Sequence, residues 1–280
     1  MQERNNAMKI TPTKKAEFQK EAYSYYKNHT RDFPWRRTED PYCIFVSEIM
    51  LQQTQTERVI EKYREFIHAF PSFEELSQAS FTEVLEKWKG LGYNRRAKWI
   101  HEIAKIVVTN HNGKLPESVQ ELEKLPGIGN ATARSLAAFA FNQPVVFLET
   151  NIRTVLIHHF FADKVQVDDK ELLEISAQVL DEKNPCEWYS ALMDYGVYIK
   201  GKIGNLNYKS RHYRKQSKFI GSDRQIRGKI LDIMLEKKEI SSQEVIGILD
   251  EDDERVMKII HDLLNENLIK GNKSNNLLSL

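Results

Sequence analysis

The sequence predicts an all-α protein of two lobes with a small C-terminal module. Apolar residues recur at helical spacing through most of the first 200 residues, and no convincing set of alternating strands precedes residue 265. Near its middle the run "EKLPGIGNATARSLAAF" (123–139) joins two helical stretches through a proline and two glycines. From about Arg224 the pattern changes to three short helices and a terminal hairpin.

The periodic segments are Ala16–Tyr26, Ile44–Phe70, Phe81–Leu91, Lys98–Val108, Val119–Leu125, Ala131–Phe141, Ile152–Phe161, Glu171–Leu180 and Trp188–Ile199. "FPSFEEL" and "LPESVQEL" each place a serine near a helix start with acids following, the order that helix N-termini favour. In the last segment "RQIRGKILDIMLEKK" reads as a helix and "SSQEVIGIL" as a second, opened by a Ser241–Glu244 capping box. "DDERVMKIIHDLLNENL" reads as a third, and "IKGNKSNNLLSL" as a short β-hairpin. Three helices and a hairpin make a winged-helix module. The acids Asp250–Glu254 at the start of its third helix repel phosphates, which argues against DNA reading by this module.

Composition excludes several classes. With 41% apolar residues the chain can build a core, but no apolar run is long enough to span a membrane. The opening residues are polar, unlike a secretory signal. Cys43 and Cys186 stand far apart, so neither a disulfide framework nor a zinc site is expected, and the reading is a cytosolic protein. The net charge of +1 conceals an asymmetry. Residues 1–194 carry 25 Lys/Arg against 28 Asp/Glu, whereas 195–222 carry seven basic residues and no acid, interleaved with Tyr195, Tyr198, Tyr208 and Tyr213. Such a segment is either a phosphate-binding patch or a solvated loop.

The turn at Pro126, Gly127 and Gly129 stops one helix and starts the next, leaving backbone N–H groups at the second helix's start. From these residues alone it is either a plain bundle turn or an anion site. Two carboxylates stand out. Glu48, in "IFVSEIMLQQTQ", has Ile44, Phe45 and Leu51 as helical neighbours, so it is either desolvated and raised in pKa or an acid at the stripe's edge. Glu149, in "PVVFLETNIRTVLIHHFF", directly precedes a helix whose positive end is expected to hold it ionised. Read alone, it is equally a capping acid. A pair pushed apart in this way suits acid-catalysed cleavage through a cationic sugar-like transition state.

"FPWR" (33–36), "SEIMLQQTQ" (47–55), "GLGYNRRA" (90–97), "LPGIGNATA" (125–133) and "LETN" (148–151) occur in this order. Together they resemble the A/G-specific adenine DNA glycosylases of the helix-hairpin-helix, endonuclease III-like superfamily. The resemblance covers roughly residues 20–200. It implies a two-lobed glycosylase fold over 1–222, with a six-helix barrel lobe at about 38–148 and a second lobe from 1–37 plus 149–222. Residues 223–280 are left as the winged-helix module. It further implies Glu48 as general acid and Glu149 as stabiliser of the cationic sugar, with Arg36, Asn151 and Ala131 around the base pocket. Gln53 and Tyr93 become the residues that enter the base stack. Gly127, Ile128 and Gly129 clasp a phosphate, with a monovalent cation on the 125–129 carbonyls. Lys209, Arg211, Arg214 and Lys215 are expected to meet further phosphates.

Three departures accompany the resemblance. Glu149 stands where the family has aspartate. Ala131 occupies the position of the lyase lysine, so a Schiff base is unavailable and a monofunctional enzyme is expected. The segment after "ALMDYGVYI" has no cysteine, so the family's iron–sulfur cluster is expected to be absent and no cofactor is required. The winged-helix module also takes the place of the family's 8-oxoguanine-reading domain. The expected activity is base release from mismatched duplex DNA by a nucleoid-associated, cytoplasmic monomer. Adenine opposite guanine or 8-oxoguanine is the first choice; the alternatives are thymine or uracil opposite guanine, or a non-catalytic mismatch binder. A winged-helix regulator would fit the last 57 residues but leaves the paired carboxylates unexplained.

Overall fold

A computed structural model describes residues 8–215, 218–272 and 277–280. In chain order the helices are α1 (Pro12–His29), α2 (Pro41–Leu51), α3 (Thr56–Ala69), α4 (Phe73–Gln78), α5 (Phe81–Trp88), α6 (Arg95–His111) and α7 (Val119–Leu122). They continue with α8 (Asn130–Phe141), α9 (Thr150–Phe160), α10 (Asp169–Val179), α11 (Pro185–Ile203), α12 (Asp223–Lys237), α13 (Ser242–Ile248) and α14 (Asp253–Asn265). Short 3-10 turns occupy Pro34–Arg36 and Leu206–Lys209, and the strands are β1 (Glu239–Ser241), β2 (Lys270–Asn272) and β3 (Leu277–Ser279).

Local chemistry accounts for many of the boundaries. Ser72, Ser80, Ser118 and Ser241 each accept a hydrogen bond from an amide of the helix they open. Glu83 and Glu244 close reciprocal capping boxes with Ser80 and Ser241. Asn112 and Asn142 end α6 and α8 in the left-handed conformation that asparagine tolerates.

One compact unit comprises Met1–Ile44, Glu117–Lys124 and Ile128–Lys215. In it α11 packs on α1, α8 and α9 around Trp188, Tyr189, Phe18 and Ile152. The other comprises Phe45–Pro116, Leu125–Gly127 and Gln216–Leu280. There α6 packs on α4 and α5, and Trp88 meets Phe66 edge-on at 6.0 Å. Burying each such ring contributes about 2–3 kcal/mol.

The structure corrects three expectations. The run Ile44–Phe70 is two helices, because α2 stops at Leu51 and α3 starts at Thr56. No glycine or proline marks that break; a buried guanidinium, described below, takes the last carbonyls of α2. Secondly, the lobes divide differently from the expected 38–148 boundary. Residues 128–148 group with the first unit because Ala133, Ala137 and Ala138 give α8 a small buried face that allows close packing on α11. Residues 216–280 group with the second unit. Thirdly, the C-terminal hairpin gains a strand: β1 pairs antiparallel with β3, giving the order β1-β3-β2 with Ile240 opposite Leu278. The turn of that hairpin, 273–276, lies outside the described residues.

Candidate active site

Glu149 is the N-cap of α9. Its backbone is extended (φ −129°, ψ 176°), and its side chain folds back so that Oε1 accepts from the amides of Asn151 at 2.8 Å and Ile152 at 3.0 Å. The Asn151 side-chain amide lies 3.5 Å from Oε2. The helix start therefore does stabilise the carboxylate, as the sequence suggested. The net effect is nevertheless reversed: burial raises the Glu149 pKa above its ordinary value, and the amides, Arg153 and Asn151 oppose it only in part. The chain keeps some accessible surface at Glu149, so the carboxyl is desolvated by its dense surroundings without being sealed off. The expectation that it is simply held ionised is thus corrected.

Asn151 is fixed by a close approach of α11. A Cβ added to Gly196 would lie 2.4 Å from the Asn151 carbonyl oxygen, so only glycine lets the helices meet here. Two residues earlier on α11, Asp194 is buried and receives the guanidinium of Arg36 at 2.7 and 3.0 Å. The Arg31 amide and side chain add bonds at 3.0 and 2.7 Å. Burial alone would raise the Asp194 pKa; Arg36 and Arg31 hold it below the ordinary carboxylate range. Arg36 also donates to the carbonyls of Arg31 and Ser190. Sequence reasoning missed Asp194 and with it the anchoring of Arg36. The only available signal was an acid within the apolar stretch "ALMDYGVYI".

In the second unit Glu48 is half-buried on α2, and residues 44–47, 49 and 50 are buried around it along the helix. Gln53 and Tyr93 occupy two tight turns, and both have positive φ (55° and 48°), which is uncommon for residues with side chains. One buried side chain links these turns. Arg96 donates to the carbonyls of Ile49 (2.8 Å), Met50 (2.8 Å), Gln52 (2.7 Å), Leu91 (3.3 Å) and Gly92 (3.1 Å), and to the Thr54 hydroxyl (2.9 Å). A cation at the C-terminus of α2 is favoured by the helix dipole. Burial pulls the Arg96 pKa down to about 10, which leaves it charged at neutral pH.

The turn between α7 and α8 has the expected backbone. Gly127 has φ +73°, and a Cβ there would lie 2.2 Å from the Trp99 ring, so glycine is required for both conformation and space. Gly129 caps α8 without a side-chain hydrogen bond of its own. Ile128 is buried, and Ala131 is exposed on the first turn of α8.

The basic segment is tied to the first unit. The Val167 amide donates to the Lys209 carbonyl, and the Arg211 amide donates to the Val167 carbonyl. Asn207 donates to Thr154 of α9, and Ser210 to Asp169. Lys209 is engaged by the Ala162 carbonyl and Arg211 lies 3.7 Å from Asp168, while Arg214 and Lys215 are exposed. His159 packs edge-on against Phe18 and bonds Tyr195. Among the described residues no group of His, Cys, Asp or Glu is arranged to hold a metal, and no helix is long and apolar enough to cross a membrane.

The HhH-GPD superfamily base excision DNA repair protein family matches residues 46–182. The chain is 32% identical over 231 residues to the adenine DNA glycosylase of Mycobacterium tuberculosis (strain CDC 1551 / Oshkosh), across 75% of this chain and 76% of that one. A thermostable thymine-DNA glycosylase matches in structure with a TM-score of 0.57 and 25% identity, over 66% of this chain and 86% of its own. Endonuclease III, solved as a trapped covalent intermediate with DNA, matches in fold with a TM-score of 0.54 and 17% identity, over 75% and 92%. The class so defined is the DNA N-glycosylase, a hydrolase of base excision repair. The chain belongs to the HhH-GPD superfamily of base excision DNA repair proteins, as an adenine DNA glycosylase-like member.

Proposed function

We propose that the protein releases adenine mispaired with guanine or 8-oxoguanine from duplex DNA, without cutting the strand and without an iron–sulfur cluster. The observation that carries the reading is Glu149, a desolvated carboxyl held by helix-start amides at the head of α9. A carboxylate in such a place gains most when positive charge develops beside it, which is how a transition state is favoured over the ground state. Glu48 donates a proton to the base as the bond from N9 to C1′ breaks. Water then adds to C1′ and yields its proton to a base, so the step is a net hydrolysis. Ala131 offers a methyl group where a covalent route would need an amine. The start of α8, capped by a glycine that brings no side chain of its own, suits a phosphate, with a monovalent cation on the turn's carbonyls. Arg214 and Lys215 offer exposed charge to neighbouring phosphates, and the protein acts as a monomer.

The preference for adenine is supported by the relative that is similar across three-quarters of both chains. Thymine opposite guanine is the second reading, favoured by the thymine-DNA glycosylase among the structural neighbours. Single-turnover assays on A:G, A:8-oxoguanine, A:C, T:G and U:G duplexes, with and without alkali, test both. We expect strand breaks on A:G and A:8-oxoguanine only after alkali. Faster release from T:G would replace the first reading by the second.

A further inference from the structure

We propose that the C-terminal module is a working part of the base-probing apparatus, in which Arg224 acts as a positioning residue that stiffens Tyr93. The inference rests on the reading of Tyr93 as a side chain that enters the base stack.

Every contact it uses lies inside the second unit. Arg224, in the first turn of α12, donates Nη1 to the Tyr93 hydroxyl at 2.7 Å, and its guanidinium lies 5.5 Å from the ring centroid. Arg96 places a second guanidinium 5.4 Å from the same ring. The module's Glu266 takes ion pairs from Arg95 and from its own Arg227, and the Glu266 carbonyl accepts from Lys98 at 2.6 Å. Asp232 of α12 lies 3.3 Å from Lys89. These contacts fall on residues 89–98, the ten residues that bracket Tyr93. Burial would raise the Glu266 carboxyl, yet Arg95 and Arg227 hold it below the ordinary carboxylate range.

Stiffness at this point has a use. Tyr93 has positive φ, which costs roughly 1–2 kcal/mol for a residue with a side chain. Its conformation therefore depends on its surroundings. Opening a base step costs a few kcal/mol, and a wedge free to swing aside would lose that energy to motion. Arg224 fixes the phenol end of the ring, and Arg96 fixes the turn beneath it. The module's charge, nine basic residues against eleven acidic over 224–280, suits it poorly to general phosphate binding. Its contribution should therefore appear in base unstacking rather than in affinity.

The test uses full-length protein and a duplex with 2-aminopurine beside the mispaired adenine, whose fluorescence rises on unstacking. Loss of a charge-assisted hydrogen bond predicts about a tenfold fall in both the unstacking equilibrium and the single-turnover rate for Arg224→Met. Affinity for a matched duplex should stay within about twofold. Tyr93→Phe removes only the acceptor oxygen and leaves α12 intact, so it should give a similar fall even if Arg224→Met melts early. The double variant should be no worse than either single one, and Arg224→Lys should recover part of the signal. Additive effects, or unstacking by Arg224→Met and Tyr93→Phe equal to wild type, would overturn the proposal. A wild type that unstacks the duplex but releases no base would refute the glycosylase reading, and the fluorescence would still decide the role of Arg224.

Discussion

An N-cap is usually filled by a short polar side chain, and glutamate has one methylene too many for the simplest geometry. Glu149 accommodates it by folding back onto the amides of Asn151 and Ile152. Aspartate at this position can make the same bonds, so Glu149→Asp should keep the cap and stay within about tenfold of the wild-type single-turnover rate. Glu149→Gln keeps an acceptor for the amides but loses the charge, and its rate should fall by at least about 10²-fold, the lower range for charged or proton-transferring groups. The raised pKa adds a stability signature. The unfolded chain releases the Glu149 proton near the ordinary value of 4.5 and the folded chain only at higher pH. Wild type should therefore lose stability as pH rises between those values, and Glu149→Gln should not. Thermal melts of both proteins from pH 4 to 8 test this, and parallel curves would exclude a raised Glu149. Gly196→Ala should damage the same site from behind, by pushing the Asn151 carbonyl away from α11 and lowering activity with Glu149 itself intact. The capping role was legible at "LETN" because donors and acceptor lie within the four residues 149–152. The pKa was not, since burial comes from chain far away in sequence.

At the scale of elements, the end of α2 shows a tertiary contact overruling local pattern. Ile44–Phe70 has continuous apolar periodicity and no helix breaker, yet Arg96 captures the carbonyls of Ile49, Met50 and Gln52. Those three partners are backbone oxygens more than forty residues upstream of Arg96, which leave no trace in residue identity. Serine caps at 72, 118 and 241 were readable for the opposite reason: donor and acceptor lie within three residues. Strand β1 escaped notice because three residues are too few to show alternation. Arg96→Met should leave several buried carbonyls without donors and cost about 3 kcal/mol or more. For a chain of this size that is a drop in Tm of roughly 6–12 °C. Arg96→Lys should recover only part of the loss, because one ammonium cannot span both turns. A melting temperature within 2 °C of wild type for Arg96→Met would show that water replaces the guanidinium.

For the whole molecule, charge is the property to test. The basic excess lies in 195–222, where Lys209 and Arg211 already have protein partners while Arg214 and Lys215 are exposed. Replacing Arg214 and Lys215 by Gln should flatten the slope of log K against log salt by about 2 units, at roughly 0.9 per phosphate, without altering Tm. An unchanged slope would return these two side chains to the solvent.

The path of the chain carries a different consequence. It changes unit at 44/45, 116/117, 124/125, 127/128 and 215/216, and the three residues Leu125–Gly127 belong to a different unit from the segments on either side. No single cut can free one unit with all its parts, so the protein cannot be dissected into independently expressed halves. During synthesis, the unit containing Phe45–Pro116 cannot be completed until Gln216–Leu280 has emerged, after the Glu149 segment has already been made. The ribosome thus delivers the Tyr93 turn long before Arg224, the residue proposed to hold it.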